Sequence, residues 1–345
     1  MLPKDQWYVA GWSEQLGPSG LVARRFLNEP VVLFRTAQGV LHAVEDRCSH
    51  RAMPLSAGEV VGDAIRCPYH GIEFDGRGTC LRIPSQDRIP PTAGIRSYPV
   101  VEQDDIIWIW MGDPALADPT AMPRHPWHRD PAWSSYYDYY HAECHWQLLM
   151  DNVFDLSHLA YIHPRTIGGD PAAHFGAQME TRLTEKGVMV DRRLPNCEPP
   201  VTYIAAKGFK GRIDRWQEIE FDPPVIRIWS GGCDVGTGAY EGKRDHGFSL
   251  LGLHAFTPET DRTSHYFWTM STNILDPELA ARIFHQTKVT IGEDIPVVKM
   301  QQQRIDDDPS RRLIDIASDA GGVQARRVIA ALAEAEAKRA QSRAV

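Results

Sequence analysis

Two short stretches, Cys48-Ser49-His50 and Cys67-Pro68-Tyr69-His70, constrain this chain more than any other feature. Sixteen residues separate His50 from Cys67. Two thiols and two imidazoles in paired clusters suit a metal site, so the two stretches are expected to be loops brought face to face. Zinc fingers keep Cys with Cys and His with His. Here each cluster holds one of each. Gly71 follows His70 and lets the backbone come close to whatever the four side chains hold, with amide N–H groups available to it. Cys80 is near in sequence but matches no ligand position and reads as a small buried thiol.

The surroundings of these loops read as strands. Residues 5–111 carry runs such as PVVLFRT, GIEFDGRGTC and DDIIWIWMGD, separated by turn signals AQG, GDA and DGRG. This predicts a small all-β domain over residues 1–115. Five prolines between residues 113 and 131 predict an irregular linker over 116–135. From residue 136 the period changes. HWQLLMDNVFDLSHLAYI, DPELAARIFHQTKVTIGEDI and VQARRVIAALAEAEAKRA have helical spacing, with Asp276 as an N-cap and Pro277 at the first helical position. VIRIWSGG, FSLLGLHAFTPET and SHYFWTMSTNIL read as strands between them. The larger part, 136–345, is therefore expected to be α+β, an antiparallel sheet with helices packed around it.

Bulk properties narrow the function. A net charge of −8 argues against a nucleic-acid binder, which would carry a basic patch. The start of the chain lacks the charged and apolar regions of a signal peptide, and its most apolar run, IIWIWM, is far below the ~18 residues of a membrane span. The six dispersed cysteines form no disulfide framework, so a cytoplasmic location is expected, where cysteines near histidines point to metal.

A mixed Cys/His pair in each loop is what a Rieske [2Fe–2S] cluster needs, since one iron takes two thiolates and the other two imidazoles. Zinc remains the lesser alternative. A second constellation follows in residues 151–164, DNVFDLSHLAYIHP. On a continuous helix Asn152, Asp155 and His158 share one side. His158 and His163 would point roughly 140° apart on an ideal helix. Pro164 disfavours the helical region for His163 and so takes it to the helix end, free to swing toward His158. A non-haem Fe(II) oxygenase centre needs two histidines and one carboxylate on one side of the metal. A cluster that delivers single electrons needs an acceptor, and such an iron is one.

The chain resembles the Rieske non-haem iron oxygenases. C-x-H-x16-C-x-x-H is filled by Cys48, His50, Cys67 and His70, and N-x-x-D-x-x-H-x4-H by Asn152, Asp155, His158 and His163. Respiratory Rieske proteins differ in carrying an extra Cys in each loop and a membrane anchor, so a cluster toward the lower part of the ~−150 to +300 mV range is implied. DQWYVAGW, DRWQEIEFDPP, FTPETDRTSHYFWTMSTN and DAGGVQARRVI resemble the vanillate O-demethylase group, which includes dicamba O-demethylase and toluenesulfonate methyl-monooxygenase.

The resemblance implies an N-terminal Rieske domain followed by a helix-grip domain. In IGEDIPVVKMQQQR it makes Asp294 the third iron ligand, with Glu293 as rival and Pro296 as a departure that would cap or kink the helix. It gives Asp155 the role of an electron-transfer bridge between subunits of a head-to-tail homotrimer, hydrogen-bonding His70 and the ligand His158. Asn152 becomes a more distant neighbour of the iron. His254 and His285 fall at substrate-contacting positions. An anionic substrate should also want a cation, and Arg192, Arg193, Arg212, Arg215, Arg227 and Arg244 are all available.

The implied function is that of a terminal oxygenase. Electrons pass from NADH through a separate flavin/iron–sulfur reductase to the cluster and the Fe(II) site, with O2 as co-substrate. The methoxy or methyl group of a vanillate-like aromatic acid is hydroxylated, and an O-methyl product collapses to a phenol and formaldehyde. No nucleic-acid or membrane partner is expected. The alternative with the same cofactors is a ring-hydroxylating dioxygenase giving a cis-dihydrodiol. A Rieske ferredoxin that only carries electrons would need neither the second motif nor the C-terminal 230 residues.

Overall fold

A computed structural model describes residues 2–343. The chain forms two compact units, one of residues 3–124 with 257–261, the other essentially of 125–256 and 262–343. The Pro-rich stretch is thus divided between them. It holds three 3-10 turns, two of them capped by Asp113 and Asp118, whose carboxylates accept from the backbone N–H two residues on.

The first unit is all-β. In chain order its strands are β1 (Trp7–Trp12), β2 (Leu21–Phe26), β3 (Glu29–Arg35), β4 (Leu41–Glu45), β5 (Glu59–Val61), β6 (Ala64–Arg66), β7 (Glu73–Asp75), β8 (Cys80–Arg82), β9 (Ser97–Tyr98), β10 (Val100–Gln103) and β11 (Ile106–Trp110). They pair as β1-β11-β10, β2-β3-β4-β9 and β5-β6-β7-β8. β11, IIWIW, is buried on both faces, as a continuous apolar strand between two neighbours should be. The DGRG signal is the β7–β8 turn, where Asp75 accepts from the N–H of Arg77 and Thr79. Val32, Phe34, Val44, Leu55, Ile65 and Phe74 form a core that also encloses Cys48, Cys67 and Cys80. Cys80 is the buried thiol its sequence context predicts.

The second unit is built on a seven-stranded sheet. Its strands are β12 (Ser134–Ala142), β13 (Gln178–Leu183), β14 (Val188–Cys197), β15 (Ile213–Asp222), β16 (Val225–Asp234), β17 (Phe248–Pro258) and β18 (Ser264–Thr272). They run β12-β18-β17-β16-β15-β14-β13, so an antiparallel meander closes by bringing its last strand beside its first. The helices are α1 (Trp146–Phe154), α2 (Leu159–Ile162), α3 (Pro171–Phe175), α4 (Val201–Lys207), α5 (Pro277–Asp307) and α6 (Ala320–Arg343). Asp276 caps α5 by accepting from Leu279 N at 2.8 Å, with Pro277 in the first turn. Helix-facing Leu149, Met150, Val153, Ile283, Ile291 and Val298 pack on sheet residues such as Ile219, Ile226 and Trp268.

One expectation is corrected here. DNVFDLSHLAYIHP is not one helix. α1 stops at Phe154, a 3-10 turn spans Leu156–His158, and α2 follows at once. The cause is Asp155, whose carboxylate accepts from Ser157 N at 2.8 Å. That local bond competes with the helical ladder. A shared helix face for Asn152, Asp155 and His158 therefore does not exist. His163 does lie past the last turn, as the C-cap of α2 with φ −116° and ψ 40°. Of the two effects expected of Pro296, capping does not occur: the residue lies inside the 31-residue α5, which continues past it to Asp307.

Candidate metal centres and substrate cavity

The first candidate centre is built from two loops with the same hydrogen-bond frame. Cys48 N donates to Met53 O at 2.9 Å and Ala52 N to Cys48 O at 3.0 Å; Cys67 N donates to Ile72 O at 2.8 Å and Gly71 N to Cys67 O at 3.0 Å. Each loop turns through a left-handed residue, Ala52 at φ +55° and Gly71 at φ +71°. The frame buries both thiols and leaves His50 and His70 exposed. The imidazoles meet through their Nδ1 atoms at 3.2 Å. Burial raises the Cys48 thiol, and the adjacent Cys67 thiol adds to it. Two buried thiols beside each other and two converging Nδ1 atoms suit a cluster with thiolates on one iron and imidazoles on the other. Bound metal would take the place of the thiol protons.

The second candidate centre joins elements far apart in sequence. His158 comes from the 3-10 turn, His163 from the end of α2 and Asp294 from the inward side of α5. One donor atom from each lies within 4.8 Å of the others. Asp294 Oδ1 is 3.6 Å from His158 Nε2 and 3.2 Å from His163 Nε2. The far nitrogen of each ring is already engaged. His158 Nδ1 meets Asp155 O at 2.5 Å, and His163 Nδ1 meets Glu293 Oε2 at 2.8 Å. With both Nδ1–H groups donating to oxygen, both Nε2 lone pairs are free for one metal. Two imidazoles and a carboxylate are the donor set of a non-haem iron site with open positions.

The electrostatics of the two rings diverge. Burial lowers the His158 pKa, with Asp294 opposing it. Burial also works against protonating His163, but Asp294 and Glu293 outweigh it and its pKa is raised. Asn152 reaches the centre through a ligand side chain. Its Nδ2 donates to Asp294 Oδ1 at 3.1 Å. Asp155 meets His158 through its backbone carbonyl and not its carboxylate, which is a correction; carboxylate Oδ1 accepts from Ser157 N instead. The rivalry between the two acids resolves into two positions: Asp294 stands with both histidines, and Glu293 stands behind His163.

This centre forms part of the wall of a cavity of about 110 Å³, several times what one water occupies. One face of the sheet supplies Arg215, Gln217, Ile228, Ser230, Leu250 and Gly252. The helices supply Asn152, Val153, Leu156, Leu159, Thr202, Tyr203, Thr290 and Ile291. His254 lines it as well. Its Nε2 lies over Gly252, where an added Cβ would come within 2.8 Å. Burial brings the His254 pKa down to about 4, so the ring is neutral at pH 7. Tyr266 OH lies 2.6 Å from His254 Nδ1 and has no other acceptor among the described residues. The phenol, kept protonated by burial, therefore donates to Nδ1 and leaves the N–H on Nε2, toward the cavity.

His285 does not join this wall. It is exposed on α5 and absent from the cavity lining. Nine residues from Asp294 is two and a half helical turns, which puts it on the opposite face. Arg215 and Gln217 are the functional-looking residues that sequence reading did not separate from their neighbours. The alternation along β15 shows which side they take only once the sheet is assembled.

Comparison with known proteins agrees with this division. Residues 6–99 match the Rieske [2Fe–2S] domain model, and residues 142–335 match the vanillate O-demethylase oxygenase C-terminal domain. The chain is 38% identical over 341 residues to the toluene-4-sulfonate monooxygenase system iron-sulfur subunit of Comamonas testosteroni, covering 97% of this chain and 98% of that one. It is 34% identical to a vanillate O-demethylase oxygenase subunit of a Pseudomonas strain, covering 99% and 98%. A crystal structure of dicamba monooxygenase with non-heme iron and dicamba superposes with a TM-score of 0.82 at 32% identity, covering 97% and 98%.

Proposed function

Since the chain belongs to the Rieske non-haem iron oxygenases with a vanillate O-demethylase type C-terminal domain, we propose that it is the terminal oxygenase of a monooxygenase system and demethylates, or hydroxylates the methyl group of, a small aromatic acid. The observation that carries this reading is the pair of Nε2 atoms and the Asp294 carboxylate gathered at the wall of an apolar cavity. Cys48, His50, Cys67 and His70 hold the cluster, and His158, His163 and Asp294 hold the mononuclear iron. When bound, the cluster relays single electrons that begin at NADH in a separate flavin/iron–sulfur reductase, and the iron activates O2.

The chain's own part is positioning. Asp155 O and Glu293 fix the tautomer and tilt of the two ligand rings, and Asn152 aims the Asp294 carboxylate. His254 donates its Nε2–H to a substrate oxygen. Ile228, Leu250 and Ile291 exclude water around the ring and the reacting methyl group. Hydroxylation of a methoxy carbon yields a hemiacetal, whose C–O bond breaks to release formaldehyde and leave the phenol. Asp155 links the cluster of one subunit to the iron of the next in a homotrimer, its carboxylate reaching the partner's exposed imidazole. Among the described residues no helix is long and apolar enough to cross a membrane, and we assign the protein to the cytoplasm, where its thiols stay reduced.

The test supplies vanillate and toluene-4-sulfonate with NADH, O2 and a Rieske-system reductase. Formaldehyde from the first, or a hydroxymethyl product from the second, coupled to oxygen uptake is the expected result. A cis-dihydrodiol, or uptake of electrons with no product from any aromatic acid, overturns the reading.

A further inference from the structure

Resting on the reading that the substrate is an aromatic acid, we propose that Arg215, assisted by Thr202 and Gln217, is the anion-binding end of the cavity and receives the substrate's carboxylate or sulfonate. Six arginines compete for that role on sequence alone, and their surroundings separate them. Arg212 is exposed and pairs with Glu198 at 2.6 Å. Arg227 is spent on Glu220 at 2.9 Å and Asp222 at 3.3 Å, and Arg244 on Glu218 at 2.6 Å. Arg193 is exposed and lies over the Tyr240 ring. Arg192 is buried, but its guanidinium serves Gln217 Oε1 at 2.6 Å and His174 O at 2.9 Å. Arg215 alone of the six lines the cavity.

Arg215 is 2% exposed and has no carboxylate within 4 Å among the described residues. Of its five N–H groups, one at Nη2 donates to Ile167 O at 3.1 Å, while the buried Nε–H has no partner. Its guanidinium lies 5.0 Å from the centre of the Tyr203 ring. A guanidinium does not discharge at physiological pH, so burial without a counter-ion is costly. Burial, and after it the charge of Arg215, bring Arg192 down to about 10 against the pull of Asp155.

Two neutral donors converge on the same cavity. The Thr202 hydroxyl is buried without a partner. Gln217 has its carbonyl end held by Arg192, which leaves its amino end for the cavity. Arg192 is thus a positioning residue. An oxyanion entering here meets one charged and two neutral donors, and completes a set of hydrogen bonds the protein leaves unmade.

The experiment measures binding to the full-length, metal-loaded protein by anaerobic titration calorimetry. The probes are two pairs matched in shape: vanillate with vanillamide, and toluene-4-sulfonate with toluene-4-sulfonamide. Wild type is expected to prefer the acid of each pair. Arg215→Gln should weaken acid binding by about 30-fold and amide binding by less than about threefold. Arg215→Lys should fall between, and Thr202→Val should cost about threefold on the acids. Equal losses on acid and amide, or an unchanged acid affinity in Arg215→Gln, overturn the proposal. If Arg215→Gln does not fold, Arg215→Lys and the wild-type preference decide, and a wild type that binds amide as well as acid overturns it. Failure of the reaction reading looks different: wild type then binds or turns over no acid, whatever stands at 215.

Discussion

The two histidine pairs of this chain present opposite nitrogens. His50 and His70 face each other through Nδ1 at 3.2 Å, and both residues are exposed, so the far Nε2 atoms are the ones open to solvent. His158 and His163 have Nδ1 tied to Asp155 O and Glu293 and turn Nε2 toward Asp294. The first pair can exchange hydrogen bonds with a partner through its outer nitrogens. The second lies largely inside the fold, His163 buried and the His158 side chain 19% exposed. One centre is arranged to be reached, the other to be sealed. The same imidazole serves both because its two nitrogens can be assigned different work.

The largest test of this contrast removes the sealed centre alone. Asp294→Ala should lower iron from about three to about two atoms per chain and cut turnover by about 10³-fold or more, with the cluster's absorption intact. Loss of the cluster as well would mean that the centres are not separable. Asp155→Asn should load both centres yet lower turnover by about 10²-fold, because Asn can still cap Ser157 N while losing the charge. Near wild-type activity would remove Asp155 from the bridge. Glu293→Gln should weaken iron binding at the sealed centre by about 10- to 100-fold and leave the cluster unchanged.

Acid should act on the sealed unit. His174 and His254 are held down to about 4, chiefly by burial. Between pH 6.5 and 4 the unfolded chain binds these protons and the folded one does not, so stability is full above pH 6.5 and declines as pH falls. His254→Gln should flatten that decline in a denaturant titration by about 2 kcal/mol at pH 4. A slope unchanged in the variant would place the acid sensitivity elsewhere. The smallest effect is in the exposed loops. Ala52→Gly relieves a left-handed alanine and should stabilise by about 1 kcal/mol, whereas Gly71→Ala should destabilise by a similar amount.

The contrast also sets what could be read before the fold was known. Both loops of the first centre lie between residues 48 and 70, and the mixed Cys/His pairs state their own pairing. The sealed centre reaches across to α5. Its two histidines were visible, and Pro164 predicted the release of His163, but Asp294 rested on resemblance. Asp155 carries its signal locally: an Asp whose carboxylate can accept from the N–H two residues on favours a turn, and that turn ends α1. His285, nine residues from Asp294 on one helix, falls on the opposite face by helical phase alone. Arg215 lay beyond reach, because a counter-ion's absence belongs to the assembled sheet and not to any stretch of letters.

Pro296 carries a mechanical consequence. Lacking an N–H, it cannot donate to Gly292 O, so α5 misses one rung at the turn that bears Glu293 and Asp294. The lost rung and the ring's crowding of the Gly292 carbonyl make this turn the natural joint of the helix. Amide protons around that joint should be the first in the helix interior to exchange with solvent, well before those near Ile283. The acid pair thus sits at the turn of α5 where the ladder is weakest.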